Sequence, residues 1–446
     1  MGMHIDAATK TEEKHPPVSR SYAWAVFVLI IGLMLSDYLS RQVINAIFPF
    51  LKSDWGLSDT QLGSLVSVVA LVVGTMTLPI SILADRFGRV KSVTIMAIVW
   101  SAATIACGLS GNFVSLFIAR ALVGLGEAGY SSAGGAILTY VFPKRLHSTV
   151  IGAFLAAALF GSVLGVVLGG MIAKALGWHM AFILVGAVGF LLAIGFPLVV
   201  KEPRPSTPTG MPTMPLREMA YELVRYRTIC WTYIGSGFAM FVQGSVIAWI
   251  PSYVNRYYGL DPAESAMRAG VLVLLAGIGM TLGGALADRL SVKQAKNRLR
   301  VPAAYGLISG SILITAFFLP PGTVQFATIG LGLFISAGFA GPSGAVVAEI
   351  TSPSIRATAF AAMILGNNLI GLAPGPFITG MIADAAGLDV AMRLMLIASL
   401  LSSAFYFLAA RNYDKDKAGS RSGATPSLET LETEVTLKPA KYAAVE

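Results

Sequence analysis

Between Tyr22 and Arg411 the sequence is a succession of long apolar stretches separated by short polar breaks. A hydrocarbon core needs about 20 helical residues to span it. Only helices and closed barrels satisfy their own backbone inside it. Twelve spans are expected, at 22–48, 60–84, 92–110, 113–141, 147–173 and 179–200, then 228–254, 266–287, 301–319, 323–349, 355–382 and 389–411. The expected fold is an all-α membrane protein of twelve transmembrane helices in two six-helix bundles. Charged residues make up 12% of the chain, about half the share of a soluble domain.

Polar tails, 1–20 and 412–446, flank the spans. Residues 201–227 carry five prolines and then a basic patch, Arg217 to Arg227. This reads as a linker, with a short amphipathic helix at its end, between bundles at 21–200 and 228–411. Of the 32 lysines and arginines, 25 fall on the side of the tails and linker. Five fall on the other side: Lys52, Lys174, Arg256, Arg268 and Arg393. Arg41 and Arg120 lie inside spans. By the positive-inside rule the tails and linker are cytoplasmic, in the plasma membrane. The same distribution accounts for the net charge of +9 without a nucleic-acid partner. Cys107 and Cys230 are too few and too separated for a disulfide framework or a metal site.

The halves repeat. Gly56-Leu-Ser58 returns as Gly259-Leu-Asp261, and Leu83-Ala-Asp-Arg86 as Leu286-Ala-Asp-Arg289, each 203 positions on. Ser58 to Gln61 and Asp261 to Glu264 are both helix-start signatures, a capping residue followed three later by Gln or Glu. Parallel repeats place a solute site between halves that rock against each other.

The fourth span contains two full charges, Arg120 and Glu127, seven residues apart and so on one helix face. Charge at mid-membrane marks a solute or proton pathway, or else locks a bundle as a structural ion pair. Arg41 in the first span reaches a similar depth to Arg120, with Asp37 one turn below it. Two arginines over two carboxyls could hold an anion above a proton, with Glu127 as the main proton site pairing with Arg120 when ionised. Tyr38, Tyr130, Gln243, Asn367 and Asn368 are further candidate solute contacts. Phe238, Phe241 and Trp249 are candidates for the opposite wall. Taken singly, each Asn, Gln or Tyr also fits a helix–helix hydrogen bond. Glu349 with Arg356 reads as an ion pair at a gate.

At these residues the chain resembles the major facilitator superfamily. Ser81-Ile-Leu-Ala-Asp85-Arg86-Phe-Gly88-Arg89-Val-Lys91 is similar to that family's loop between the second and third spans, with Ser81 where a Gly is usual. Its copy holds Asp288 and Arg289. The resemblance implies a cytoplasmic gate at Asp85, Arg86, Arg89, Asp288 and Arg289. Independently of the family, Asp85 can accept from helix-start amides or from arginines across the cytoplasmic face. Tyr38-Leu-Ser-Arg41-Gln-Val, Gly56-Leu-Ser-Asp-Thr-Gln-Leu-Gly63, Gly124-Leu-Gly-Glu-Ala-Gly129 and Gly177-Trp178-His-Met-Ala-Phe182 look most like the spinster-like branch. The organic-anion symporter branch shares the Arg120/Glu127 spacing. Both branches usually carry an Asp immediately before the first-span Arg; here that position is Ser40. Gly161, Gly165 and Gly169 in the fifth span resemble the glycine motif of proton-driven exporters, and equally fit close helix packing.

No phosphate loop, metal-ligand cluster or nucleophile motif is present. The chain reads as no enzyme and needs no cofactor. The expectation is a monomeric secondary transporter moving a small organic anion with protons. Two alternatives stay open: proton-driven export of an amphiphile, and a membrane sensor that does not transport.

Overall fold

A computed structural model describes residues 18–202, 216–352 and 355–422. Regular structure among these residues is entirely helical. The first half runs through α1 (Arg20–Trp55), α2 (Asp59–Phe87), α3 (Arg89–Gly108), α4 (Phe113–Glu127), α5 (Tyr130–Val141), α6 (His147–Leu176) and α7 (Trp178–Val199). The short α8 (Leu216–Arg225) closes the linker. The second half runs through α9 (Arg227–Tyr258), α10 (Pro262–Ser291), α11 (Asn297–Phe318), α12 (Thr323–Ser336), α13 (Ala340–Ile350), α14 (Arg356–Gly366), α15 (Pro374–Ala386), α16 (Leu388–Leu394) and α17 (Ile397–Ser422). Below, the proximal face is the one on which α1 begins, and the distal face the one on which it ends.

Among the described residues eleven helical stretches are long and apolar enough to cross a membrane. The twelfth expected span, the fourth in order, is broken. Its α4 stops at Glu127, and α5 starts at Tyr130 after Gly129 turns with φ +95°. Only glycine adopts that conformation without strain. In the eleventh span α14 passes into α15 through a π-turn, Asn367–Leu372.

The helix starts follow from local chemistry. The Ser58 amide donates to the Gln61 side chain and the Gln61 amide to Ser58 Oγ, at 3.0 and 3.1 Å. That is a reciprocal cap. Asn112 and Ser115 cap α4 the same way. Asp261 accepts from the amides of Ala263 and Glu264, with Pro262 in the first helical position. The start of α3 is capped from far away. Glu202 accepts from the amides of Arg89 and Val90 at 2.6 and 3.0 Å. This acceptor lies beyond the sixth span, and the side chain of Asp85, the acceptor expected from sequence, lies outside the described ones.

By contacts the chain divides into two compact units. One holds the described residues up to Ile47 and those from Met76 to Glu202. The other holds Phe48–Thr75 with the described residues after the linker. The distal end of α1 and most of α2 therefore pack with helices of the second half. The first unit's core is aromatic, with Trp100, Tyr130, Phe154 and Phe196 all buried. The second has Phe339, Tyr406 and Tyr413 buried beside Leu299.

Glycines set the closest approaches. A Cβ on Gly161 would lie 2.6 Å from the Leu35 carbonyl oxygen, and one on Gly165 2.6 Å from that of Leu39. Gly169 faces Val43. These three positions, one turn apart on α6, form a smooth track for α1. Close helix packing is thus what the fifth-span glycines do, and the stretch of α1 they seat is the one bearing Asp37 and Arg41.

Candidate functional site

In the first unit the charges gather at the break between α4 and α5. Glu127 is the last residue of α4 and is buried. Arg41 Nη2 lies 2.6 Å from Glu127 Oε2. The free carbonyls at the end of α4 add negative potential at the same point. The Arg41 side chain is 21% exposed and that of Glu127 fully covered, so removing Arg41 would leave the carboxylate buried without its counter-charge, which is costly. Asp37, also buried, is a close electrostatic neighbour of Glu127. The Arg41 guanidinium also lies 5.3 Å from the centre of the Tyr38 ring.

Arg120 does not form the expected pair with Glu127. Its side chain is wholly buried and donates to the carbonyl oxygens of Ser40 and Arg41, each at 3.3 Å. Those bonds fix Arg120 at the depth of Arg41, and Arg41 takes the carboxylate. Where related branches have Asp, the Ser40 hydroxyl donates back to the Asp37 carbonyl at 2.8 Å. Tyr130 is corrected from a solute contact to a packing residue. It is fully buried, stacks edge-on against Trp100 and donates to the Ile30 carbonyl at 2.8 Å.

In the second unit the π-turn displays the two amides. Asn367 Oδ1 accepts from the Ser236 hydroxyl of α9 at 2.6 Å. Asn368 is buried, donates to the Ile364 carbonyl, and leaves its Oδ1 without a hydrogen-bond donor. π-turns recur at functional sites because they aim side chains that an α-turn would place elsewhere. Gln243 is half-buried on α9. The aromatic wall does not form as expected. Trp249 is sealed and donates to the Pro376 carbonyl at 3.0 Å, Phe241 is buried, and Phe238 stacks on Phe405.

The expected gate residues are described only in part. The side chains of Asp85 and Arg86 lie outside the described ones. Arg89, Asp288 and Arg289 are exposed. Glu349 meets Arg298 at 3.1 Å, Tyr413 at 2.7 Å and Lys417. Arg356 is exposed and takes no part in that cluster. The Glu349 pair is therefore corrected: its cations come from α11 and α17, which pack directly on α13, while Arg356 starts the next helix.

At the distal face lies a cluster that sequence spacing did not reveal. Both nitrogens of the Arg256 fork donate to Asp59, at 2.6 and 2.7 Å, and Lys52 adds a third contact at 2.6 Å. Asp384 accepts from the amides of Asp59 and Thr60 at 2.7 and 2.8 Å and from the Thr60 hydroxyl at 2.6 Å. The sequence showed its parts but not their meeting: Gly56–Gly63 as a repeat, a helix start and a family likeness, and Lys52 and Arg256 as two of the five cations on that side.

A family model described as Major Facilitator Superfamily matches residues 30–343. An "MFS-type efflux pump" of Mycolicibacterium smegmatis is 26% identical over 92% of this chain and 96% of its own length. A "Hexuronate transporter" of Bacillus subtilis is 26% identical over 81% of this chain and 88% of its own. Among solved structures, a bacterial homologue of the human lysosomal transporter spinster, inward-facing and unoccupied, superposes with a TM-score of 0.80. It is 25% identical and covers 90% of this chain and 99% of its own. A multi-pass helical fold with charges buried at a helix break, together with these likenesses, makes the protein a transporter and no enzyme. The chain belongs to the Major Facilitator Superfamily and stands with its spinster-like branch.

Proposed function

We propose that the chain is a proton-coupled carrier of a small organic anion, a carboxylate, working by alternating access. It acts as a monomer in the plasma membrane with both tails and the linker in the cytoplasm. The observation that carries this reading is the pair of half-buried Arg41 with buried Glu127 at 2.6 Å, with buried Asp37 beside it. A guanidinium at this depth requires a counter-charge at every stage. In the empty carrier Glu127 supplies it. A proton arriving on the Asp37/Glu127 pair releases Arg41, whose fork then takes the solute's carboxylate. One proton and one monoanion cross together, so the site's charge is unchanged by loading. Arg120 holds the α1 backbone in place and adds positive potential. Tyr38, Gln243, Asn367 and Asn368 serve the neutral part of the solute. On the proximal face Asp85, Arg86, Arg89, Asp288 and Arg289 form the gate, with Glu349 bracing the helices behind it.

The likeness to a hexuronate transporter supports the anion. The likeness to an efflux pump supports a second reading, proton-driven export of an amphiphile. Proteoliposomes and labelled galacturonate separate them. An inside-alkaline gradient should drive accumulation. Glu127→Gln should keep counterflow and lose that accumulation, and Arg41→Gln should lose both. Accumulation that survives Glu127→Gln and disappears in Asp37→Asn moves the proton to the first span. Galacturonate that stays outside while a lysolipid moves against protons favours export.

A further inference from the structure

The second unit holds a small cavity that takes no part in the functional reading. It lies between α9, α11 and α17, beside the 3-10 turn Ala337–Phe339 that joins α12 to α13. Its volume is about 10 Å³, the room one water molecule needs. A 3-10 turn has poorer hydrogen-bond geometry than an α-turn. Inside a membrane span, irregular backbone is tolerated where side chains or ordered water satisfy the groups around it.

Five hydroxyls line the cavity: Tyr305 and Ser309 of α11, Ser336 of α12, and Ser399 and Ser402 of α17. Four of them commit their proton to a backbone carbonyl at ordinary length. Tyr305 donates to Gly283 at 2.8 Å, Ser336 to Leu333 at 2.9 Å, Ser399 to Leu396 at 2.6 Å and Ser402 to Gly235 at 2.7 Å. Their oxygens keep lone pairs that can still accept. Ser309 differs. It is 2% exposed, and its hydroxyl reaches the Gly306 carbonyl only at 3.5 Å, past the usual range of about 2.5–3.0 Å for such a bond. The cavity thus combines one poorly satisfied donor with four acceptors.

That combination selects the guest. No lining residue is charged, so a metal cation would lack a counter-charge. An apolar guest would leave the Ser309 proton unsatisfied. A volume of about 10 Å³ admits nothing larger than water. We propose that the cavity is a binding site for one water molecule, which accepts from Ser309 and donates to two of the four other hydroxyl oxygens. Only one of those four belongs to α11, so the water joins α11 to α12 or α17. It does so where the tenth span passes from α to 3-10 geometry. The inference is independent of which solute the chain carries.

The test is X-ray hydroxyl-radical footprinting of the full-length protein in lipid nanodiscs, read by mass spectrometry. Radicals born from a bound water oxidise the side chains around it even where bulk water does not reach. Phe339 lines the cavity and is 2% exposed, whereas Phe196 is buried in the first unit's core. In the wild-type protein Phe339 should be oxidised several-fold faster than Phe196. Equal rates mean a dry cavity and overturn the proposal. Ser309→Val fills the space and removes the donor, and should bring Phe339 down to the rate of Phe196. Ser309→Ala removes the donor alone and should lower both the Phe339 rate and the thermal midpoint. An unchanged Phe339 rate in Ser309→Ala overturns the proposal, since the hydroxyl would then hold no water. A raised midpoint does so too, because it marks a hydroxyl left unsatisfied in a dry space. Should Ser309→Val fail to fold, the two readouts of Ser309→Ala decide the question.

Discussion

Glu202 and Asp384 do the same chemistry in two regions of the molecule. Each is a carboxylate accepting from two consecutive amides at a helix start, α3 for Glu202 and α2 for Asp384. What differs is the parentage of the helices joined. Each pair lies within one compact unit, but Glu202 and α3 also come from one half of the sequence. Asp384 belongs to the second half and caps a helix of the first. A bond within one half survives any movement of the halves and can serve only folding. A bond between helices of different halves is available to set which state the carrier rests in. Identical hydrogen bonds thus acquire different meanings from topology alone.

The sharpest break of this comparison uses bulk. Gly165→Leu drives a side chain into the Leu39 carbonyl inside one half. It should cost about 3 kcal/mol or more, at the upper end for overpacking, and appear as loss of monodisperse protein after extraction. Gly380→Leu drives an equal bulk into the Asp59 backbone across halves. It should leave the thermal midpoint near wild type and change amide hydrogen exchange at the distal face instead. If both variants fail to fold, the distinction between the two kinds of contact is lost.

A smaller effect separates the two caps directly. Glu202→Ala should lower stability by about 1–2 kcal/mol, as for other lost helix caps, read as a fall in thermal midpoint with distal exchange unchanged. Asp384→Ala should do the reverse. The smallest effect belongs to Lys52, whose side chain is 41% exposed beside Asp59. Lys52→Met should shift stability by less than about 1 kcal/mol. A Lys52 effect matching that of Arg256→Met would mean that net charge, and not the fork, holds Asp59.

Much of the fold was legible because it depends on local pattern. Apolar runs of spanning length gave the helices, and Ser58–Gln61 and Asp261–Glu264 gave two of their starts. The break after Glu127 was hidden, because Gly126 and Gly129 read equally as small residues for close packing. Gly126 is one, since a Cβ there would meet the backbone of Trp100. Which arginine would hold Glu127 was also illegible. Depth along a span is readable from residue count, and that put Arg41 and Arg120 level. Rotation about the helix axis decides the partner, and it is set by what each helix packs against. Glu202 and Asp384 lie 113 and 325 residues from the amides they cap. No spacing rule connects groups so far apart.

The π-turn at Asn367–Leu372 spends one residue more than an α-turn would. Around it the span serves two neighbours: Gly371 and Gly375 lie on α9, while Asn368 and Gly380 lie on α2. Deleting one residue from the turn would rotate everything beyond it by about 100° relative to everything before it. Either the α9 face or the α2 face would then be out of phase with its neighbour. A substitution inside the turn is felt at one position, whereas a deletion is felt along the rest of the helix. Packing of this span therefore depends on the number of residues between Asn367 and Asp384 more than on which residues they are. A one-residue deletion there would need a compensating insertion within a few positions to restore both faces.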